Sequence, residues 1–257
     1  MAFLFLLPLK MEPQKDLRLA VLIDADNIPY SNVKGMMEEI AKYGTPTFKR
    51  IYGDWTKPTL SGWKTVLLEN AITPIQQYSY TSGKNSSDSA MIIDAMDILY
   101  SGKADGFCIV SSDSDFTRIA IRLREAGMKV IGIGQKKTPN PFIIACDKFI
   151  YIEIIAPSSI SEATIPKVKT AKALPPHPGN DVIHLISATI ADLADENGWA
   201  FLGEVGGLLL KKKPDFDPRN YGFSKLTPLI KSLKQFEIDE RETDKKNIRL
   251  IYIRNKQ

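Results

Sequence analysis

Acidic and amide side chains follow two apolar segments of this chain, and their types suit metal chemistry. The apolar segments are residues 19–23 and 107–110. The polar side chains that follow them are Asp24, Asp26, Asn27, Asp113 and Asp115. Short apolar runs with polar boundaries are typical of buried parallel strands, and open α/β sheets bind ligands beyond the carboxyl ends of their strands. We therefore expect these side chains to gather at one edge of a sheet.

A cluster of carboxylates at neutral pH requires a cation. Two like charges about 4 Å apart repel by roughly 4 kcal/mol at a protein-like dielectric constant of about 20. Ligand sets made only of oxygen suit hard cations, so the sequence predicts Mg²⁺ or Mn²⁺. The alternative for any single position is ordinary, because an aspartate after a strand is usually a turn residue or a helix N-cap.

Composition limits the classes of protein to which the chain can belong. Its 257 residues are 44% hydrophobic and 25% charged, which excludes disorder throughout and fits one large domain or two ordinary ones. A net charge of +4 predicts no strong field for polyanions, although local basic patches remain possible. Cys108 and Cys146 lie in apolar segments. We expect buried thiols in a reducing compartment rather than a disulfide framework or a zinc site.

The apolar N-terminus does not have the features of a signal or membrane segment. Residues 1–9 lack a basic leading region and a small-residue cleavage site, and they are too few to span a bilayer. This predicts a cytoplasmic protein without a membrane partner. Met11 is an alternative start, because the residues after it resemble an ordinary polar N-terminus.

Strand and helix patterns alternate through the first part of the chain. The predicted strands are 17–23, 47–52, 74–78, 106–110, 129–133 and 149–154, and the predicted helices are 31–43, 62–70, 88–100, 116–126 and 141–146. Such alternation indicates an α/β fold with a parallel sheet flanked by helices on both faces.

The pattern changes after residue 156. Residues 157–180 are rich in proline and serine without periodicity, which predicts a flexible linker. Three helical patterns and a terminal hairpin follow, at about 184–193, 202–210, 225–235, 237–241 and 248–254. This order predicts a small winged helix-turn-helix domain. The predicted organisation is a tail at 1–16, a first domain at 17–156, the linker, and a second domain at 181–257.

Three motifs in the first domain resemble those of the NYN family of PIN-like nucleases. They are VLIDADN at 21–27, KNSSD at 84–88 with Asp94 further along the same helix, and VSSDSDF at 110–116. The resemblance implies a metal-dependent ribonuclease with a PIN-like parallel sheet. Carried over position by position, it implies a catalytic and metal-binding set of Asp24, Asp88, Asp113 and Asp115, supported by Asn27, Asp26, Asp94 and Ser112.

Helix geometry separates the roles of Asp88 and Asp94. Six residues correspond to about 600° of rotation and about 9 Å of rise, so the two side chains are not expected to share one ion. We expect Asp88 at the site and Asp94 in a supporting or structural position. Neutral Asn27 suits orienting a carboxylate or a phosphate. Ser112 is able to donate to a phosphate, but serines at such positions more commonly cap the turn.

The second domain resembles the LOTUS (OST-HTH) domain. The resemblance rests on Gly198-Trp199, Val205-Gly206 and the segment KKKPDFDPRNYGFSKL at 211–226. It implies a winged helix that binds RNA or a protein partner. RNA binding is expected to involve Lys211, Lys212, Lys213, Arg219 and Tyr221, with base stacking by the tyrosine. The alternative for the aromatic residues is that they pin the loop onto the core.

The sequence as a whole predicts a metal-dependent ribonuclease with an RNA-binding module. The alternative from another class is a non-catalytic adaptor that binds RNA or a protein. A flavodoxin-like or Rossmann enzyme would have the same kind of sheet, but the first strand here is not followed by a glycine-rich phosphate loop.

Overall fold

Six strands form one parallel sheet in this computed structural model, which describes residues 16–78, 86–155, 178–242 and 249–256. The strands are β1 (Arg18–Asp24), β2 (Thr45–Gly53), β3 (Thr73–Gln76), β4 (Gly106–Val110), β5 (Lys129–Gly134) and β6 (Lys148–Tyr151). Their order across the sheet is β3-β2-β1-β4-β5-β6, and every neighbouring pair is parallel. The predicted α/β architecture is confirmed.

Helices cover both faces of the sheet. The helices are α1 (Val33–Ile40), α2 (Trp63–Glu69), α3 (Ser86–Ser101), α4 (Thr117–Glu125) and α5 (Asn140–Ala145). Along β1, Leu19 and Val21 pack with α1 and α2, whereas Ala20 packs with the helices of the opposite face. Because consecutive strand residues point to opposite faces, a strand covered on both sides reads as a continuous apolar run.

The chain reverses its direction of travel across the sheet between β1 and β4. It moves outward from β1 to β2 and β3, and α3 then carries it back to β4 on the other side of β1. In such doubly wound sheets the loops after the two central strands diverge and leave a crevice at the carboxyl edge. Asp24 ends β1, and Ser111 directly follows β4, so both lie at this crevice.

The second domain contains three helices and a small antiparallel sheet. Its elements are α6 (Asn180–Leu193), β7 (Ala200–Phe201), α7 (Leu202–Lys212), α8 (Leu226–Ser232), β8 (Phe236–Glu242) and β9 (Arg249–Asn255). The strand order is β7-β9-β8, and a core that includes Ile186, Val205 and Leu229 joins the helices to the sheet. Three helices with an antiparallel sheet agree with the predicted winged helix.

Several predicted elements differ from the structure in extent, and one strand was not predicted. The strand predicted at 149–154 ends at Tyr151 and gives way to a 3-10 turn at Ile152–Ile154, because the apolar pattern reflected burial rather than further pairing. Helix α8 stops at Ser232 because Leu233 adopts an extended conformation and enters the core. Strand β7 was not predicted, since two residues give no periodic signal.

Some sequence predictions concern residues outside the described ranges. These are residues 1–15 of the predicted tail, residues 156–177 of the linker region, and Lys84 and Asn85 of the second motif. Within the described ranges, Cys108 and Cys146 are buried and free, in agreement with the expected buried thiols. No helix in the described part of the chain is long and apolar enough to cross a membrane.

Polar contacts join the two domains. The Arg219 guanidinium donates to both carboxylate oxygens of Glu39, each at 2.8 Å. The hydroxyl of Tyr151 donates to Asp215 at 2.8 Å, and the backbone N–H of Phe149 in edge strand β6 donates to the carbonyl of Pro214 at 2.9 Å. The second domain therefore covers part of the exposed edge of the large sheet, which would otherwise present unpaired backbone groups.

Glu39 is the buried partner in this contact. Burial alone would raise its pKa, but hydrogen bonds from Arg219 and Lys42 outweigh burial and lower the pKa to about 2. The Glu39 side chain is 5% exposed, whereas that of Arg219 is 26% exposed. Removing the arginine would leave a buried carboxylate whose partners among the described residues are Lys42 and the Tyr43 hydroxyl.

We predict that Arg219→Ala lowers the free energy of unfolding at pH 7 by about 2 to 4 kcal/mol, because it leaves Glu39 incompletely paired. Urea unfolding measures this change, with Lys231→Ala as a control that removes a cation from the exposed pair with Glu240 and should have no measurable effect. Since the pKa of Glu39 is depressed, the difference should persist above pH 4.5 and shrink as the pH falls toward 2. An unchanged unfolding curve would contradict a stabilising contact.

Candidate metal centre at the carboxyl edge of the sheet

Asp24 lies at the centre of the crevice and is almost fully buried. Its side chain accepts hydrogen bonds from the Asn27 amide at 2.5 Å, the Ser111 hydroxyl at 2.8 Å and the Asp26 backbone N–H at 3.1 Å. Burial raises the pKa of Asp24, and these hydrogen bonds act in the opposite direction. The loop after β1 therefore wraps its own donors around the carboxylate that ends the strand.

Ser111 connects the ends of the two central strands. Ile23 of β1 pairs with Val110 of β4, so the next residues, Asp24 and Ser111, lie side by side. The Ser111 hydroxyl donates to Asp24 and accepts from the backbone N–H of Asp113 at 3.1 Å. Like Ser112, this serine is predicted from the motif to donate to a phosphate or to cap the turn, and the contact with Asp24 was not predicted. Its position directly after a buried strand, next to another strand-end carboxylate, was the available signal for the second contact.

Asp113 and Asp115 are held by a tight turn after β4. The Asp113 side chain accepts from the backbone N–H of Asp115 at 2.9 Å and caps the 3-10 turn Ser114–Phe116. Phe116 is fully buried and anchors the turn. Asp113 is half-buried and Asp115 is exposed. The cap therefore fixes the backbone while leaving the outer oxygens of both carboxylates near the crevice.

Asp88 reaches the same place from the first turn of α3. It is 8% exposed, and its pKa is raised to about 6 by burial and then by the nearby charges of Asp24, Asp113, Asp115 and Asp26. Carboxylate oxygens of Asp88, Asp113 and Asp115 all lie within 4.8 Å of one another. The structure thus brings together three of the four predicted metal ligands, and Asp24 lies beside them.

The spacing and chemistry of these oxygens fit a hard divalent cation. Oxygen ligands about 2.1 Å from an octahedral ion lie about 3 to 4 Å from each other, slightly closer than the limit seen here. Without a cation, two charges 4.8 Å apart repel by about 3.5 kcal/mol at a dielectric constant of about 20. A proton on Asp88 or a bound cation relieves that repulsion. The residues present therefore fit the implied Mg²⁺ or Mn²⁺.

The remaining predicted site residues of the first domain occupy other positions. Asp26 is exposed at the rim, where its charge contributes to the raised pKa of Asp88. Asp94 forms an ion pair with Arg50 and accepts a hydrogen bond from the Tyr52 hydroxyl, so α3 directs it toward β2 instead of the cluster. The Ser112 hydroxyl accepts from the backbone N–H of Gln135 at 2.8 Å and supports the loop after β5.

The predicted RNA-binding residues of the second domain differ in their availability. Lys211 is exposed, whereas Lys212 contacts Asp192 at 2.5 Å and Lys213 is half-buried. Arg219 is engaged by Glu39 and by Asp217 at 2.7 Å. Tyr221 packs beside Phe216 with ring centroids 6.2 Å apart, next to the domain core. The exposed lysines are therefore the groups of this set most open to an external anion.

Comparison with known families identifies both parts of the chain. The model of the NYN domain matches residues 18–153, and that of the OST-HTH/LOTUS domain matches residues 178–248. The NYN match contains every residue of the carboxylate cluster. The comparison with curated proteins gives no match.

Several solved structures are similar to parts of the chain. A protein of unknown function from Vibrio parahaemolyticus is 19% identical, covers 55% of this chain and 96% of its own, and has a TM-score of 0.46. An uncharacterized protein from Nitrosomonas europaea is 30% identical over 38% of this chain and 92% of its own, with a TM-score of 0.29. Residues 175–257 of a Chromobacterium violaceum protein are 31% identical over 32% and 83%, with a TM-score of 0.24.

All three TM-scores lie below 0.5. The family matches stand independently of these structures and agree with the motifs, the parallel sheet and the second domain. The chain belongs to the NYN domain family and carries an OST-HTH/LOTUS domain after its NYN domain.

Proposed function

We propose that the protein is a metal-dependent ribonuclease that hydrolyses RNA phosphodiester bonds at the carboxylate cluster. The observation that carries this proposal is the convergence of Asp88, Asp113 and Asp115 to within 4.8 Å at the switch point of the sheet. Membership in the NYN family, which is a family of PIN-like nucleases, supports the same chemistry. The cofactor is Mg²⁺ or Mn²⁺, because the ligand set contains only oxygen.

The chain's residues divide the work of building this site. Asp88, Asp113 and Asp115 would supply the oxygens that hold the cation. Asp24 receives the hydrogen bonds of Asn27 and Ser111, and through Ser111 it fixes the backbone at Asp113. A divalent cation held in such a site activates water and neutralises charge that grows on the phosphate. Each carboxylate thus has either a binding or a positioning role.

No histidine lies among the residues of this site. The two histidines of the chain, His177 and His184, fall outside the NYN match. A proton transfer by histidine is therefore not part of the proposed mechanism. Asp88, with a pKa of about 6, is the carboxylate best placed to exchange a proton near neutral pH before a cation binds.

RNA is the proposed substrate because the OST-HTH/LOTUS match points to RNA binding. The exposed Lys211 supplies a cation for a phosphate, and Lys212 and Lys213 add positive charge beside it. A protein partner bound through the same domain is the other proposed use of this module. A non-catalytic adaptor would bind RNA or a protein without cleaving RNA.

We predict that Asp113→Asn lowers the rate of Mg²⁺- or Mn²⁺-dependent RNA cleavage by about 100-fold or more, because it removes one ligand charge. The asparagine side-chain oxygen remains able to accept the Asp115 N–H, so the turn should stay folded. Gel analysis of labelled RNA measures the rate. Asp97→Asn is the matched control, since this exposed residue of α3 undergoes the same charge change away from the cluster.

The same assay with the wild-type protein distinguishes a nuclease from a non-catalytic adaptor. RNA cleavage that requires the cation, is lost in Asp113→Asn and is retained in Asp97→Asn supports the nuclease. RNA binding without cleavage by the wild-type protein favours the adaptor. A wild-type rate in Asp113→Asn would contradict the proposed site.

We predict that Asp88→Asn raises the melting temperature at pH 7.5 in EDTA, because it removes a carboxylate that the cluster disfavours. The folded pKa of Asp88 is raised from 3.8 to about 6, so the charged form costs stability above pH 6 and the cost is relieved as the pH falls toward 4. The advantage of the variant should therefore disappear near pH 4. Calorimetric melts at both pH values measure it.

The control for the melting experiment is again Asp97→Asn, which should show no comparable gain at pH 7.5. Adding Mn²⁺ should raise the melting temperature of the wild type more than that of Asp88→Asn, because a ligand that binds only the folded state stabilises it. Equal melting temperatures for the wild type and Asp88→Asn in EDTA would mean that the carboxylates do not repel one another as the structure indicates.

A further inference from the structure

A cleft of about 550 Å³ lies between the NYN and OST-HTH domains. The wall on the NYN side lies at the amino ends of the strands, where Lys129 begins β5 and Lys148 begins β6. On the other side it is lined by α7, including Leu210 and Lys211. The cleft therefore lies at the edge of the sheet opposite to the carboxylate cluster.

The lining of this cleft is strongly basic. Five of its side chains are cationic and one is a carboxylate. The cations are Lys42, Arg124, Lys129, Lys148 and Lys211, and the carboxylate is Asp147. This excess is as large as the net charge of +4 on the whole chain. Both domains thus contribute cations to the same surface.

Two of these cations are not neutralised within the described part of the chain. Asp147 contacts Arg124 at 3.3 Å and Lys129 at 3.8 Å, and Lys42 pairs with Glu39. Among the described residues, neither Lys148 nor Lys211 has an ion-pair partner.

Lys148 lies in a partly desolvated position near charges of both signs. Burial is the largest effect and lowers the pKa of Lys148, whereas Asp217 and Glu39 act to raise it and Arg219 and Lys129 act to lower it. An anion in the cleft would restore favourable interactions for this ammonium group.

The rest of the lining suits a ligand with both charged and apolar parts. Ile131, Ile144 and Leu210 provide apolar surface, and Ile144 is 56% exposed although it lies beside the cleft. Tyr43 presents a ring at the same place, with the Lys148 ammonium 5.5 Å from its centroid. Grooves that hold single-stranded nucleic acid combine cations for the backbone with apolar and aromatic surface for the bases.

We propose that the interdomain cleft binds the phosphodiester backbone of a single nucleic-acid strand, with Lys129 and Lys211 contacting phosphates from opposite walls. The inference rests on the proposed RNA substrate, but it does not rest on RNA cleavage. Binding needs the two domains in contact, because neither wall alone holds both lysines. The Glu39–Arg219 ion pair keeps these walls together.

The position of the cleft indicates that it affects RNA binding rather than the cleavage step. Strand β5 has six residues, so the cleft and the carboxylate edge are separated by about 20 Å of sheet. Groups at that distance do not touch the reacting phosphate. They hold the strand, and losing them should weaken binding of RNA while leaving the rate at saturating RNA nearly unchanged.

The test compares RNA binding by the full-length wild type and by the double variant Lys129→Gln/Lys211→Gln. Both lysines are exposed, so the substitutions should leave the fold intact, and circular dichroism and thermal melts check this. Fluorescence anisotropy with labelled single-stranded RNA, in EDTA and from 50 mM to 1 M KCl, measures affinity without turnover. Labelled single-stranded DNA in a second series distinguishes RNA from the shared backbone chemistry.

We expect the double variant to bind RNA with lower affinity and with a weaker dependence on salt than the wild type. Each phosphate contact to a single strand contributes about 0.7 to the slope of log K against log salt, so removing two should lower the slope by about 1.4. If the proteins bind equally at 1 M salt, this corresponds to roughly 60-fold weaker binding at 50 mM. The control is Lys64→Gln/Lys234→Gln, which removes one exposed lysine from each domain outside the cleft and should retain wild-type binding.

Three outcomes would overturn the proposal. The first is a cleft variant with the affinity and the salt slope of the wild type. The second is a control variant that loses as much affinity as the cleft variant. The third is complete displacement of the RNA by inorganic phosphate at a concentration too low to change the ionic strength. That result would indicate a site for a small anion. Binding is measured in EDTA and therefore does not depend on cleavage. A protein that binds RNA through the cleft but does not cleave it would refute only the proposed cleavage.

Discussion

The pairing of β1 with β4 is the constraint on which the candidate site depends. It places the end of one strand next to the end of the other, so that Asp24 and Ser111 become neighbours across a large sequence separation. Ser111 then holds the backbone of Asp113, whose own side chain caps the turn that carries Asp115. Each bond fixes the next residue. A slip in strand register would therefore disperse the carboxylates rather than shift them together.

Helix α3 supplies the opposing group at an energetic cost. Its first turn brings Asp88 into a space that already contains several carboxylates, and the raised pKa of Asp88 reflects burial and their repulsion. Such strain is expected at functional sites, where a bound ion relieves it. The third turn of the same helix carries Asp94, which binds Arg50 and Tyr52 and thereby fixes the helix against β2. One helix thus contains both a site residue and its anchor.

The domain interface lies at the opposite edge of the sheet and uses charge differently. At the carboxyl edge, like charges are held together and a cation is expected. At the amino edge, Glu39 and Arg219 neutralise each other, and the surrounding lysines leave an excess of positive charge. The two edges suit two parts of one polyanion: a strand held at the basic edge, and a phosphate positioned at the acidic edge.

The sequence predicted the parallel sheet because apolar runs such as residues 19–23 and 107–110 have few other uses in a soluble chain. It also predicted that Asp24, Asp88, Asp113 and Asp115 would lie near one another. It did not predict the Ser111 contact with Asp24, which depends on strand register. The Glu39–Arg219 pair was also beyond prediction, because Glu39 resembles an ordinary polar helix residue until the second domain covers it.

The central claim is that Asp88, Asp113 and Asp115 form a site for a divalent cation. Anomalous diffraction from crystals soaked in Mn²⁺ tests it most directly, because the ion is located independently of activity. We expect an anomalous peak about 2.1 to 2.3 Å from oxygens of these three carboxylates, and no such peak in crystals of Asp113→Asn at the same Mn²⁺ concentration. An empty cluster in fully soaked wild-type crystals, or a peak bound only by other residues, would contradict it.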